Sequence, residues 1–304
     1  MATGYRTDMR IAVVGQIARD LVLVVPEVPA RGGRAGVLER REMLGGKGAN
    51  IARGTRQLGA TAALVGVVGD DREGRLLVER LDADGVATAG VVRREGVRTA
   101  LIVDVVCDGG YRYLEDVPAA TLVTAADVRA ASALLAGADA VVVQLQQPAD
   151  AALAAVRAAG GLVVLDGAPD GREAELLAAA DVVRADHREA ELLTGRAITG
   201  VDAALRAGRE LLGRGPSVVA LEAPGEANVL VWDGGSAAVP LTDEDVVDTT
   251  GGGDAFVAAL TVGLARGDGP EQAGRLATAA SGRAVRHPGG RTDLTGLSLV
   301  GDLG

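Results

Sequence analysis

Late in the chain, the segment Val247-Asp248-Thr249-Thr250-Gly251-Gly252-Gly253-Asp254-Ala255-Phe256 sets three consecutive glycines before an apolar helical run. Glycines at a helix start leave backbone N–H groups free to converge on an anion, and the helix dipole reinforces them. Asp254 falls in the first helical turn beside that anion hole. There a carboxylate can take a proton from a hydroxyl that attacks a phosphoryl group held by the turn. A structural reading competes: Asp254 as an acid favoured by the helix dipole, Asp248 as a turn residue, and the glycines as a loop. A second glycine-rich turn, Gly45-Gly46-Lys47-Gly48-Ala49-Asn50, lies early and holds the sole lysine of the sequence. Such a turn lets an ammonium approach a ligand closely.

Neither turn is a P-loop, because Lys47 is followed by Gly48 instead of a hydroxyl residue, and no G-x-G-x-x-G follows the first apolar run. The single cysteine, Cys107, removes a disulfide framework and a multi-cysteine zinc site. Two histidines, His187 and His287, are too few for a histidine-rich metal cage, and there is no G-x-S-x-G from which to build a hydrolase triad. A net charge of −10, from 31 basic and 41 acidic residues, argues against a nucleic-acid or anionic-membrane surface. No apolar run approaches the roughly 18 residues of a membrane span. The polar start Met1 to Arg10 lacks the apolar core of a secretory signal. The expectation is a globular, cytoplasmic protein, and 304 residues suffice to bury a core unaided.

The elements that must position the two turns alternate in period. Short apolar runs at Arg10–Val14, Ala62–Val68, Ala140–Leu145, Leu162–Leu165, Asp181–Val183 and Ser217–Leu221 read as buried strands. Between them, helices are predicted near Gly45–Leu58, Arg72–Asp84, Ala125–Leu135, Ala149–Ala159, Glu173–Ala179, Glu189–Leu193 and Val201–Leu212. A hairpin runs through Trp232 and Gly234, and two helices, Asp254–Arg266 and Pro270–Val285, close the chain. This alternation predicts an α/β fold, a mainly parallel sheet covered on both faces. Two stretches break the rhythm, about 20–44 and about 96–116. Leu21–Val25 is apolar but cut off by Pro26 and Pro29, and Asp108-Gly109-Gly110 signals a hairpin. Both read as strand-rich excursions from a single core spanning 1–304.

Together, the early GGKGAN turn and the late DTTGGGDAF turn, in this order and at this separation, resemble the ribokinase family of sugar kinases (the phosphofructokinase-B group) over nearly the whole chain. The resemblance implies a three-layer α/β core with a small β lid at the two excursions. It also implies transfer of the ATP γ-phosphate to a hydroxyl of a pentose or similar small sugar, assisted by Mg2+ and by a monovalent cation, K+, in a homodimer. Carried onto this sequence, Asp254 is the base and the amides of Gly251, Gly252 and Gly253 stabilise the phosphoryl charge. Asp20, Gly46, Lys47, Asn50 and Gln146 fall at sugar-binding positions. Asp186 and Glu189 match the segment that organises Mg2+ through water. Asp248, Thr250, Ala284, His287, Gly289 and Asp293 match the monovalent-cation loop, and Thr278 falls near the adenine.

This sequence departs from the family at several of these positions. Ala18 stands where the family has Asn, Gln146 where it has Glu, and Asp186 where it has Asn. The segment that wraps the nucleotide phosphates reads Glu222-Ala223-Pro224-Gly225-Glu226-Ala227. Pro224 offers no N–H, and like charges about 4 Å apart cost on the order of 4 kcal/mol at an effective dielectric near 20, so Glu222 is expected to oppose a phosphate. An alternative expectation is therefore a sugar-binding paralogue with little or no kinase activity. A nucleoside kinase has less support, because only Tyr5, Tyr111, Tyr113, Trp232 and Phe256 could stack a base.

Overall fold

A computed structural model describes residues 8–107, 110–241, 246, 250–286 and 293–297. In chain order the elements are β1 (Arg10–Val14), β2 (Ala18–Val24), β3 (Glu39–Gly45), α1 (Lys47–Gln57), β4 (Thr61–Gly69), α2 (Arg72–Ala83), β5 (Val86–Arg94), β6 (Leu101–Cys107) and β7 (Gly110–Asp116). There follow α3 (Ala125–Ala130), α4 (Ser132–Ala136), β8 (Ala140–Gln144), α5 (Ala149–Ala158), β9 (Leu162–Asp166), α6 (Glu173–Ala178), β10 (Val182–Ala185) and α7 (His187–Thr194). The chain then continues through α8 (Val201–Leu212), β11 (Val218–Ala223), β12 (Ala227–Trp232), β13 (Gly235–Pro240), α9 (Gly252–Arg266) and α10 (Pro270–Ala284).

Nine strands form one sheet in the order β13-β12-β11-β10-β9-β8-β1-β4-β5. Pairing is parallel from β5 across to β11 and antiparallel only through β12 and β13. The period of two along each strand explains the layering. In β1, Ile11 and Val13 join the core beneath α1, α9 and α10, whereas Ala12 and Val14 join the core on the opposite face, with residues of α5, α6 and α8. Helices on both faces of a mainly parallel sheet make the three-layer α/β fold that the sequence predicts. No helix among the described residues is long and apolar enough to cross a membrane.

A second, four-stranded sheet, β3-β2-β6-β7, is built from the two irregular stretches. Its outer pairs are antiparallel and its central pair, β2 with β6, is parallel. Only Gly46 separates β3 from α1. Asp71 pins the other crossing. Its carboxylate accepts the Gly74 N–H at 2.7 Å, which caps α2, and also the Thr99 N–H at 2.7 Å and hydroxyl at 2.6 Å, just before β6 begins. These bonds hold the Asp71 carboxyl below the usual range despite the opposing cost of burial.

Two predicted elements change. The helix expected over Ala125–Leu135 is two short helices, broken at Ala131, whose N–H is shared between the carbonyls of Asp127 and Val128. Such sharing marks the tighter turn in which helices end. Strand β5 had no counterpart in the sequence reading. It is an edge strand whose register against β4 shifts between Ala63 and Val65, so its apolar alternation is interrupted.

Candidate active site

A cleft of about 550 Å3 opens between the two sheets, beyond the carboxyl ends of the parallel strands, where open α/β sheets place their ligands. Its roof is one face of the small sheet. Asp20 and Val22 of β2, Ile102 and Asp104 of β6, and Tyr113 and Glu115 of β7 stand at every second position and point into it. Its floor carries Gly46, Lys47 and Asn50 from the start of α1, and Gln146 beyond β8. Buried Gln144 fastens this floor: its Oε1 accepts the Gln16 N–H at 3.0 Å, and its Nε2 donates to Gln146 Oε1 at 2.7 Å. Thr250, Gly251, Gly253 and Asp254 form the far wall.

Helix α9 starts with Gly251 in the left-handed region (φ 74°) and has no side-chain cap, so the first N–H groups of the helix have no intrahelical acceptor. Asp254 is 7% exposed, and its Oδ2 accepts the Asn50 Nδ2–H at 2.9 Å. Burial pushes its carboxyl up to about 6, while Lys47 and the Asn50 bond pull the other way. Asp20 is pushed up to about 7 by burial, then by Asp254 and Asp104, and its Oδ1 is buried without a hydrogen-bond partner. Lys47 Nζ lies 3.3 Å from Glu189 Oε1. Burial disfavours the ammonium, but Asp166, Glu189 and Asp254 outweigh that cost and hold Lys47 charged.

A smaller cleft of about 200 Å3 shares Arg184, Glu222 and Gly253 with the first and continues past Gly252, Asn228 and Thr278. Thr278 is buried and its hydroxyl accepts from Asn228 Nδ2 at 3.2 Å. On this side the sequence raised the sharpest objection, the carboxylate of Glu222. Its Oε1 lies 3.7 Å from His187 Nδ1, so an imidazole stands beside it. Glu226 is turned away from both clefts and accepts the Val201 N–H at 3.3 Å, at the start of α8. Gly225 sits at the tip of the β11–β12 turn (φ 72°) and lines neither cleft.

Asp186 and Glu189 form a reciprocal cap on α7: Glu189 N–H donates to Asp186 Oδ1 at 2.8 Å, and Asp186 N–H to Glu189 Oε2 at 2.9 Å. Among the described residues no cluster of three or more His, Cys, Asp or Glu side chains could hold a metal directly. Nearby, however, Asp166 Oδ2 is buried without a hydrogen-bond partner. Two or three hard carboxylates without a closed cage suit a hydrated Mg2+ that arrives with phosphates.

Most of the predicted positions therefore meet in one place. Asp20, Gly46, Lys47, Asn50, Gln146, Asp186, Glu222, Thr250, Gly251, Gly253 and Asp254 line the larger cleft, and Gly252 and Thr278 the smaller. Glu189 lies behind the wall, holding Lys47. Of the cation-loop positions, Ala284 is buried at the end of α10 and Asp293 is exposed, its carboxylate accepting the Thr295 N–H at 2.9 Å. Asp248, His287 and Gly289 lie outside the described residues. Sequence reasoning missed Arg184, Asp166, Asp104 and Glu115. Arg184 and Asp166 did carry a signal, a charge within or closing a buried strand.

Residues 8–295 match the pfkB family carbohydrate kinase profile. The chain is 35% identical over 278 residues to the bifunctional protein HldE of a Caulobacter strain, covering 85% of itself but only 54% of that protein, about half its length. It is 31% identical over 307 residues to an ATP-dependent ribose-1-phosphate kinase of Halopiger xanaduensis, covering 97% of this chain and 98% of that one. The structure of Arabidopsis thaliana ribokinase complexed with ribose and ATP superimposes with a TM-score of 0.79 at 26% identity, covering 92% of this chain and 94% of that one. The profile spans both glycine turns and the strands between them, and the fold repeats in a solved sugar kinase, so this chain belongs to the pfkB family of carbohydrate kinases.

Proposed function

We propose that the protein transfers the γ-phosphoryl group of ATP to a hydroxyl of a pentose or similar small sugar, with Asp254 as general base. The observation that carries this reading is the start of α9, where a buried carboxylate stands beside uncapped backbone N–H groups at the meeting point of two clefts. The N–H groups of Gly251 to Gly253 offer positive charge to the phosphoryl group, and Asp254 receives the hydroxyl proton. The other end of the cleft is rich in hydrogen-bonding groups, as a sugar requires. There Asp20, Lys47, Asn50 and Gln146 would orient the hydroxyls, and Asp104 and Glu115 add acceptors from the roof. Across the whole cleft six carboxylates (Asp20, Asp104, Glu115, Asp186, Glu222 and Asp254) stand against three cations (Lys47, Arg184 and Arg188), an excess that disfavours an acceptor already bearing a phosphate. This supports a neutral sugar over ribose 1-phosphate.

Asp186, Glu189 and Asp166 would hold Mg2+ through water. When bound, the ion neutralises phosphate charge. Thr278 and the small cleft would take the nucleotide base. Thr250, Ala284 and Asp293, with Asp248, His287 and Gly289, would supply the monovalent-cation loop. The small sheet, about 20–44 and 96–116, would act as a lid. Leu21–Val25, expected from the sequence to be an apolar edge, is instead largely covered, because β2 pairs with β3 on one side and β6 on the other. A homodimer paired through the lids would therefore use the edge strands β3 and β7. Light scattering at micromolar concentration tests the dimer, and a monomer mass refutes it. The test of function is a panel of unphosphorylated and phosphorylated sugars assayed for ATP-dependent turnover, with Asp254→Asn as control. Turnover of a neutral pentose that the variant loses is expected, and turnover of ribose 1-phosphate alone would refute the acceptor reading. Glu222 favours the second reading, a sugar-binding protein without turnover. That reading predicts a thermal shift with sugar and none with ATP and Mg2+.

A further inference from the structure

Arg184 is the one arginine of strand β10, and 11% of its side chain is exposed. Its neighbours fix it closely. Nη1 donates to Asp166 Oδ1 at 3.2 Å and lies 3.9 Å from Glu189 Oε2, and the guanidinium stands 5.9 Å from the centre of the Phe256 ring. Gly253 makes room for it: a Cβ at that position would fall 2.9 Å from Nη2 and 3.1 Å from Nη1. Nη1 is thus fastened to Asp166, both Nη atoms lie over the glycine turn that opens α9, and Nη2 is the nearer to it. Arg184 lines both clefts, so its side chain stands at their junction.

A buried arginine that existed only to balance Asp166 would have no need of a glycine at 253 or of a place on the wall of both clefts. Guanidinium presents its donors in a planar fork, so Nη1 can keep its carboxylate while Nη2 serves a second anion. Resting on the kinase reading above, we infer that Arg184 is a catalytic residue whose Nη2 binds an oxygen of the transferring phosphoryl group. In the step it assists, the sugar hydroxyl oxygen forms a bond to the γ-phosphorus. The bond from that phosphorus to the β–γ bridging oxygen breaks, its electron pair leaves with ADP, and the hydroxyl proton passes to Asp254. Arg184 thereby supplies a charged donor on the side where Pro224 removes a backbone N–H and Glu222 adds a negative charge.

The experiment compares Arg184→Gln and Arg184→Lys with the unaltered protein by calorimetric titration with ATP and with ADP, each with Mg2+, and by steady-state turnover of the best sugar. Thermal melting serves as the check on folding. Loss of a charge-assisted bond to the γ-phosphoryl group should weaken ATP binding at least about tenfold in Arg184→Gln while ADP binding changes by less than about threefold. In the same variant kcat should fall about 100-fold or more with little change in KM for the sugar, as expected of a donor that acts on developing charge. Arg184→Lys keeps the charge without the fork and should fall between, and it carries the test if Arg184→Gln does not fold. Equal losses of ATP and ADP binding, or a folded variant with kcat within about threefold of the unaltered protein, would overturn the inference. If the unaltered protein turns over no sugar, the kinase reading fails by itself. Arg184 is then judged on ATP against ADP binding, and the absence of any difference between them in the unaltered protein would reject it.

Discussion

Replacing Asp254 with asparagine should inactivate the protein and at the same time stabilise it. The side chain is 7% exposed and its carboxyl is held up at about 6 instead of 3.8, chiefly by burial. Below about pH 3.8 folded and unfolded chains both keep this proton. Between there and about 6 the unfolded chain releases it first, and above that the folded chain bears the full cost of a buried charge. At about 1.36 kcal/mol per pH unit, the cost at pH 8 is on the order of 3 kcal/mol. Asparagine retains the oxygen that accepts from Asn50 Nδ2 and carries no charge, so the cost disappears. For a chain of 304 residues, an unfolding entropy of about 2.1 cal/mol/K per residue converts this to a Tm higher by on the order of 5 °C. Turnover should fall about 100-fold or more, the scale of general-base loss. The assay is calorimetric melting of both proteins from pH 4 to 8, beside steady-state kinetics at pH 8. The gap in Tm should close as the pH falls toward 4. A variant that melts below the unaltered protein at pH 8, or that keeps turnover within about tenfold, would refute the reasoning.

On the proposal that Asp254 is the base, its carboxylate must be ionised to take the proton, so kcat/KM should rise with pH through an apparent pKa near 6. Asn50→Ala removes a donor that favours the ionised form and should move that limb to higher pH; a limb that stays put would show that Asn50 does not tune the base. Glu222→Thr combined with Pro224→Gly should tighten ATP binding about tenfold by calorimetry, because one repulsion goes and one donor returns. An unchanged Kd would mean that the turn does not face the phosphates. Asp71→Ala loses three accepted hydrogen bonds at the root of β6 and should cost about 2 kcal/mol in urea unfolding; an unchanged midpoint would contradict the pin.

Strongly periodic segments were legible. Helix α8 runs over Val201–Leu212 and β1 over Arg10–Val14, as their patterns predict, because each buries one clean stripe or face. The two glycine turns could be read as chemistry because their glycines are needed whatever sheet lies behind them. The roof of the cleft could not. Asp104 and Glu115 sit in strands of ordinary alternation, and only the pairing of β2, β6 and β7 decides which face looks inward. Arg184 was lost through a boundary: a strand read as Asp181–Val183 stops one residue before Arg184, and the observed Val182–Ala185 carries the guanidinium onto the cleft wall. Strand β5 was lost through its register shift, which erases the alternation on which the reading depends.

The single residue between β3 and α1 has a mechanical consequence. A longer connection would let the small sheet swing while the helix stayed still. Gly46 alone cannot act as a slack joint, because it packs so tightly on the Gln16 carbonyl that a Cβ there would come within 2.7 Å of that oxygen. Tilting the small sheet therefore turns the first turn of α1 with it, and with that turn go Lys47 and Asn50. Asn50 grips Asp254, which lies 204 residues further along the chain, so the sheet is geared to the proton affinity of that carboxylate. Any tilt of the sheet would therefore reach the acidity of that carboxylate through Asn50.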